Sequence, residues 1–151
     1  MKTIKTISLV TAFIFCYSCI NQKDKDKAQI EETVSKFWMS VQSNDEKNYL
    51  ALIEYNEDYK LAILNQLHFL NRNYNSMYKE LQSKKIQIKD TNEFGESQKC
   101  VEYLFVKPNS IVEPLSVKLF FYKPTGYNKI FNLQIIGNLP KWEKAAPSNS
   151  Q

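Results

Sequence analysis

The spacing of apolar residues predicts two helices near the start of the folded part of the chain. Between residues 28 and 43 the apolar positions recur every three or four residues, as in an amphipathic helix, at Ile30, Val34, Phe37 and Val41. Ser43, Asn44 and Asp45 then end this helix and offer a cap to a second one. That second helix is short, with apolar residues at Tyr49, Leu50 and Ile53, and it is expected to end near residues 55 to 56.

A long third helix is predicted by the next apolar stripe. Every step in the stripe is three or four residues, through Tyr59, Ile63, Leu67, Leu70, Tyr74, Met77 and Leu81. Its middle segment NRNYN, residues 71 to 75, is poor in helix formers, which predicts a break or kink. Lys84 and Lys85 lie where cations favour a helix C-terminus.

After residue 85 the apolar period changes to two, which predicts strands. The candidates are KIQIK, QKCVEYLFVKP, LSVKLFFYKP and YNKIFNLQIIGN, with turn signals at residues 92 to 95 and 123 to 128. The links between them are too short for helical crossovers, so the sheet is expected to be antiparallel. Helices followed by antiparallel strands predict an α+β fold, with N-terminal helices packed on a curled sheet of about four strands.

Strand alternation predicts an apolar residue set on each face of this sheet. The inner set is Val101, Tyr103, Phe105, Val117, Leu119, Phe121, Phe131, Leu133 and Ile135. The outer set is Leu104, Val106, Phe120, Tyr122, Ile130 and Ile136. This outer face is unusually apolar, which indicates that it is covered, forms a homodimer or binds a protein partner. The plainer interpretation is that these are scattered surface hydrophobes. Phe120 and Tyr122 are the predicted binding residues, because interface energy concentrates in a few large aromatics.

The first residues have the pattern of a secretory signal peptide. Lys2 and Lys5 precede an apolar run from Ile7 to Phe15, which is shorter than the ~20 residues that span a bilayer. A buried core helix is the alternative, but strong polarity begins abruptly at Asn21. The run ends at FCYSC, residues 15 to 19, and the charged segment KDKDK, residues 23 to 27, follows.

These residues resemble the precursor of a bacterial lipoprotein of the Bacteroidota type. Ser18-Cys19 matches the small residue and lipid-accepting cysteine of the family's cleavage box, whereas Cys16 and Tyr17 depart from it. The resemblance implies a signal peptide over 1–18, fatty acylation of Cys19, a charged linker to residue 27 and attachment to a membrane of the cell envelope, periplasmic or surface-facing. Cleavage after Ser18 with release of a free product is the alternative.

The order of helices and strands over residues 28 to 142 resembles the NTF2-like, or cystatin-like, superfamily, in which a curled sheet forms a cone around the helices. The resemblance implies this fold for residues 28–142 and carries no functional residue with it. Residues 143 to 151, EKAAPSNSQ, are expected to form a flexible tail.

Composition restricts the chemistry further. The net charge of +4 falls to +2 once Lys2 and Lys5 leave with the signal peptide, so the balance gives no indication of nucleic-acid binding. Acylation of Cys19 would leave Cys100 as the one thiol of the mature chain, which excludes an internal disulfide and a cysteine-built metal site. No cofactor motif is present, and the lone histidine, His68, is expected at the surface or its boundary.

Three classes of function are compatible with this sequence. The first is a non-enzymatic, lipid-anchored module that binds a protein or a small ligand. The second is a small envelope enzyme with a carboxylate base in a pocket, for which the candidates are Glu102, Glu113 and the acids at 54 to 58. The third is an inhibitor or immunity-type lipoprotein. We expect the first, with no catalytic residues.

Overall fold

The computed structural model describes residues 4–83, 85–93, 95–107 and 113–144, with side chains from Gln22 onward and, in the last helix, for Leu139, Pro140 and Trp142. Its helices are α1 (Ile4–Ser43), α2 (Glu46–Leu52), α3 (Lys60–Ser83) and α4 (Leu139–Lys144). Its strands are β1 (Ile88–Thr91), β2 (Gln98–Phe105), β3 (Leu115–Phe121) and β4 (Asn132–Ile136). The predicted α+β fold class, with helices on an antiparallel sheet of four strands, is confirmed.

Helix α1 buries the predicted stripe of Ile30, Val34, Phe37 and Val41. The charged segment that precedes this stripe, residues 20 to 27, was predicted to be a linker. It is instead part of the same helix. Side-chain pairs four residues apart accompany this helix: Gln22 donates to Asp26 at 2.7 Å, and Lys27 lies 3.9 Å from Glu31. Such pairs favour helix over coil, which explains why a charged segment without apolar periodicity is helical. Cys19 and the predicted signal peptide fall where side chains are outside the described residues.

The junction of α1 and α2 is built by two of the three residues that the sequence assigned to it, Asn44 and Asp45. Asn44 has a left-handed backbone (φ 52°), its N–H donates to the carbonyl of Val41, and the N–H of Asp45 donates to the carbonyl of Ser40. This pair of bonds is a Schellman motif. The Asp45 side chain then accepts from the N–H of Asn48 at 3.0 Å and caps α2.

Helix α3 is continuous, so the break predicted at NRNYN is wrong. Two asparagines of this segment are used for packing instead. Asn71 donates to the carbonyls of Val41 and Gln42 at the end of α1, at 2.8 and 3.3 Å, and Asn73 is buried and donates to the carbonyl of Phe69. Tertiary contacts therefore outweigh the weak helix propensity of these residues. Tyr59 precedes the helix and is exposed, contrary to the predicted stripe.

The sheet is an antiparallel meander in the order β1-β2-β3-β4. Its register places Val101 opposite Leu119 and Tyr103 opposite Val117, with Leu133 opposite Leu119 on the other side. Seven of the nine predicted inner residues are buried against the helices: Val101, Tyr103, Phe105, Val117, Leu119, Phe121 and Leu133. Ile135 is partly buried and packs against the same core.

The segment before β4 departs from the predicted alternation. Ile130 was expected on the outer face, but it is fully buried in the main core, where it forms a parallel bridge to Ile53. Its N–H donates to the carbonyl of Leu52 at 2.7 Å, which ties the end of α2 to the sheet. The regular ladder of β4 begins only at Asn132, so the strand's period of two cannot be extended back to residue 130. Phe131, which was predicted to be a core residue, is half-buried.

Helix α4 was not predicted by the sequence pattern. Its Trp142 is 1 % exposed, and the indole N–H donates to the carbonyl of Glu113 at 2.8 Å. The Lys107 ammonium lies 4.6 Å from the centre of the Trp142 ring and donates to the Trp142 carbonyl. The helix therefore extends through the first two residues of the predicted tail, and residues 145 to 151 lie outside the described part of the chain.

Candidate functional site

One end of the outer sheet face is covered by the protein itself. Phe120 has no exposed surface and lies opposite Cys100 of β2, which is also buried, and the neighbouring Gln98 is 3 % exposed. The expectation that Phe120 is available to a partner is therefore wrong. Of the interpretations of the apolar outer face, a covered face is the one that applies here.

Tyr122, the second predicted binding residue, is half-buried at the same end of the sheet. Its ring lies 5.2 Å from the ring of Phe131, centre to centre. Phe131 was predicted to face the core, but its ring packs against Tyr122 instead. The structure thus places Phe120 and Tyr122 at the same end of the sheet but leaves only Tyr122 partly accessible.

An ion pair lies close enough to Cys100 to interact with it electrostatically. Lys118 of β3 donates to Glu93 of the β1–β2 turn at 3.2 Å, and this hydrogen bond raises the pKa of the Lys118 ammonium. Burial raises the pKa of the Cys100 thiol to about 11. The thiol is therefore protonated and unreactive at neutral pH, because the thiolate is the nucleophilic form.

The other end of the outer face is exposed. Leu104 and Ile136 lie in one cross-strand row on either side of Ser116, and Val106 follows β2. Leu104, Val106 and Ile136 are 46, 52 and 51 % exposed. The row beside it carries Glu102, which accepts from Ser116 at 3.0 Å and lies 3.8 Å from Lys89. Among the described residues, three large apolar side chains are therefore exposed on this face.

The described acidic residues do not enter the core. Each Asp and Glu whose side chain is described is exposed or partly exposed, and the buried polar residues are Thr33, Ser40, Asn73 and Gln98. Glu102 and Glu113, two of the candidate base residues, are exposed. The helix–sheet interior is instead filled by aromatic rings, with Trp38 packed edge-on against Tyr103 and Phe105. Within the described residues, no group of three or more His, Cys, Asp or Glu side chains is placed to hold a metal ion.

A cleft between α3, β4 and α4 combines apolar and polar side chains in one concave surface. We call it the α3–α4 cleft, and its volume is about 440 Å³. The lining residues are Ala62, Asn65, Gln66, His68, Phe69, Arg72, Ile135, Leu139 and Pro140. Phe69 is buried and Ile135 and Leu139 are partly buried, whereas Asn65 and Arg72 are exposed. The cleft therefore has an apolar floor and a polar rim, the usual composition of a small-molecule site.

His68 at the rim of this cleft is held by a partner from another helix. Its Nε2 lies 3.1 Å from the Oε1 of Glu46 at the start of α2, and its side chain is 36 % exposed. The predicted boundary position of His68 is confirmed. An ionised carboxylate only accepts hydrogen bonds, so this contact places a proton on Nε2 and fixes the orientation of the ring.

Sequence reasoning missed this cleft. Its floor comes from α3, β4 and α4, and the α4 segment has no clear apolar period. His68 was the one polar residue of the cleft that the sequence considered for chemistry, and its neighbours Asn65 and Arg72 follow from it by helical spacing of three and four residues. The apolar side of the cleft could be found only from the fold.

Three comparisons leave the family of the protein open. No protein-family model, curated protein or solved structure matches the chain. The resemblances to lipoprotein precursors and to NTF2-like domains therefore stay predictions from sequence. Among the helices that the structure describes, none is long and apolar enough to cross a membrane.

Proposed function

We propose that the protein is a non-enzymatic, lipid-anchored binding module of the cell envelope that takes a small ligand in the α3–α4 cleft. The observation that carries this proposal is the composition of the cleft, with Phe69, Ile135 and Leu139 as its floor and Asn65 and Arg72 at its rim. Its volume of about 440 Å³ falls within the range of small-molecule sites. The lipoprotein-like N-terminus supports the envelope location, with Cys19 as the lipid-bearing residue.

The arrangement of acids favours binding over catalysis. A general base works best in a pocket that shifts its pKa and holds it near the substrate. The described carboxylates are at least partly exposed, and Glu102 is engaged by Ser116 on the outer face. An enzyme built on Glu102 is the alternative, and its signature would be a turnover lost in Glu102→Gln.

A tryptophan placed in the cleft tests the proposal. Ala62 lines the α3–α4 cleft, and Ala51 lines a separate groove between α1 and α2, and both alanines are exposed. Ala62→Trp should fill the cleft, whereas Ala51→Trp adds the same bulk elsewhere. Native mass spectrometry of the protein purified from the envelope should show a small-molecule adduct on the wild type and on Ala51→Trp, and none on Ala62→Trp.

Two results would contradict the proposal. An adduct retained by Ala62→Trp would place the ligand elsewhere on the protein. In the second result, the wild type carries no adduct, while the wild type and the Ala62→Trp variant capture one stoichiometric protein from the envelope equally well. That combination of results would favour the inhibitor class.

A further inference from the structure

We infer that the ligand of the α3–α4 cleft is a short extended peptide whose backbone pairs with the open edge of β4, an inference that rests on the proposed function. Among the described strands, β4 is the last of the sheet and has a neighbour, β3, on one side only. In the described part of the chain, no backbone hydrogen bond beyond the ladder with β3 involves residues 132 to 136. Alternate N–H and C=O groups of an edge strand point away from the sheet, so they offer hydrogen bonds to a further strand.

The chain itself begins to extend this edge just before β4. The Ile130 N–H donates to the Leu52 carbonyl at 2.7 Å, and the Ile130 carbonyl accepts from the Glu54 N–H at 2.8 Å, as in a parallel strand pair. The next N–H, that of Phe131, donates instead to the Phe120 carbonyl of β3. The segment paired with Ile130 then continues toward α3, so this row of strand pairing stops before β4. A bound peptide would continue it along β4.

The two edges of the sheet differ in their protection against such pairing. Proteins guard open edges with charged side chains, prolines or very short strands. Strand β1, at the opposite edge, has two charged residues among its four, Lys89 and Asp90, and Asp90 forms an ion pair with Lys99. Strand β4 has the sequence NLQII, with no charge and no proline. The β4 edge is therefore the unguarded one, as expected for an edge to which a strand is added.

The α3–α4 cleft lies beside β4 and suits the side chains of an extended peptide. Ile135 is the β4 residue in its lining and belongs to its apolar floor. The lining residues of α3 run from 62 to 72, a length of about 15 Å, which corresponds to about four or five extended residues. The side-chain amides of Asn65 and Gln66 line the cleft and can each donate and accept, as peptide groups do. In strand addition the backbone bonds provide affinity, and pockets for alternate side chains provide specificity.

A matched pair of peptides tests the role of the ligand backbone. The probe is the pentapeptide acetyl-Thr-Val-Thr-Val-Thr-amide, which is uncharged and consists of residues that favour strands. Its control is the same sequence N-methylated at every residue, which keeps the side chains and lacks the N–H donors. Titrations of the purified full chain, followed by NMR shifts of the Ile135 and Leu139 amides, should give a Kd at least about tenfold lower for the probe, because the control loses several hydrogen bonds.

Amide hydrogen exchange identifies the edge that the probe occupies. The β4 amides that face the open edge should exchange about tenfold more slowly at a probe concentration of ten times the Kd, because exchange then requires the unbound state. The amides of β1, at the opposite edge, are the control and should keep their exchange rates. Ala62→Trp should abolish probe binding and the slower exchange in β4, whereas Ala51→Trp should retain both.

Three results of these measurements would overturn the inference. Equal Kd values for the two peptides, without slower exchange in β4, would show that the cleft binds side chains alone. Slower exchange in β4 that Ala62→Trp leaves unchanged would place the added strand outside the cleft. Slower exchange that grows with protein concentration in the absence of peptide, together with a doubled mass in size-exclusion chromatography, would assign the edge to a second copy of this chain.

The native adduct separates this inference from the proposed function. Tandem mass spectrometry of the molecule released from the envelope-purified wild type should give the fragment series of a peptide. A non-peptide adduct that Ala62→Trp removes would overturn the inference and leave the proposed function standing. Absence of probe binding would overturn the inference as well, and together with the absence of any native adduct it would also remove the proposed function.

Discussion

At the scale of single residues, the two faces of the sheet differ less in burial than the alternation of side chains along the strands predicts. Phe120 belongs to the outer face by its register with Cys100, yet it is as buried as Leu119 beside it in the chain. The ion pair of Lys118 and Glu93 lies near Cys100, the residue opposite Phe120. Alternation therefore assigned the side of the sheet correctly at Phe120, but it could not assign exposure.

The sequence alone places Phe120 on an outer binding face, where substitution should cost little stability. Its burial reverses that expectation. Phe120→Ser should lower the free energy of unfolding by about 3–5 kcal/mol or more, because it leaves a cavity and places a hydroxyl in an apolar site. Val106→Ser, at the exposed end of the same face, should change it by about 0.5 kcal/mol or less. Urea denaturation measures both, and a Phe120→Ser protein as stable as Val106→Ser would show that the face is open.

The buried thiol of Cys100 should make stability depend on alkaline pH. Its folded pKa is raised to about 11, whereas the unfolded thiol ionises near pH 9. As pH rises through this window the unfolded state loses its proton first, so the free energy of unfolding falls by up to about 1.4 kcal/mol per pH unit. The wild type should lose stability between about pH 9 and 11 relative to Cys100→Ala. Stability curves that stay parallel across this range would contradict the assignment.

At the scale of elements, side chains of one helix complete the ends of another. Helix α1 ends in a Schellman motif at Asn44, and Asn71 of α3 donates to two of its last carbonyls. The carbonyls at a helix end have no partner within the helix, so such a contact both satisfies them and fixes the docking of α3 on α1. The segment NRNYN, residues 71 to 75, has low helix propensity and is thus held in the helix by a tertiary hydrogen bond.

Two asparagines one turn apart on α3 isolate the effect of this contact. Asn71→Ala removes the bond to α1 and gains helix propensity, whereas Asn75→Ala gains the same propensity at an exposed position. Asn71→Ala should therefore be less stable than Asn75→Ala by about 0.5–1.5 kcal/mol, the usual net value of a hydrogen bond. Thermal unfolding of the two variants measures this difference, and equal midpoints would show that the contact does not stabilise the docking.

At the scale of the whole molecule, the proposed anchor and the proposed ligand site lie in different parts of the chain. Cys19 precedes Ile30, the first buried residue among those whose side chains are described, by eleven positions, and the intervening segment is helical. The α3–α4 cleft is formed by residues 62 to 72 of α3 and by elements beyond β3. Anchoring and binding should therefore be separable by mutation.

The anchor is tested by fatty-acid labelling in cells. Cys19→Ala should abolish incorporation of labelled palmitate and block normal maturation, because the lipoprotein pattern assigns the lipid to that thiol. Cys16→Ala is the matched control and should be labelled like the wild type, since the proposed cleavage before Cys19 would remove Cys16. More than one acyl chain is expected, because a single chain anchors only marginally. Unchanged labelling of Cys19→Ala would remove the lipoprotein proposal.

The sequence by itself determined the order of the helices and strands as far as β4, the antiparallel sheet and most of the inner face. The reason is that helix caps such as Asp45 and the alternation of Val101, Tyr103 and Phe105 are local, and local geometry depends on residues a few positions apart. Only the tertiary structure decided that Phe120 is covered, that Ile130 joins the core and that Asn71 closes α1. It also brought Phe69, Ile135 and Leu139 together under Arg72, because residues so distant in the chain meet only when the helices and the sheet pack.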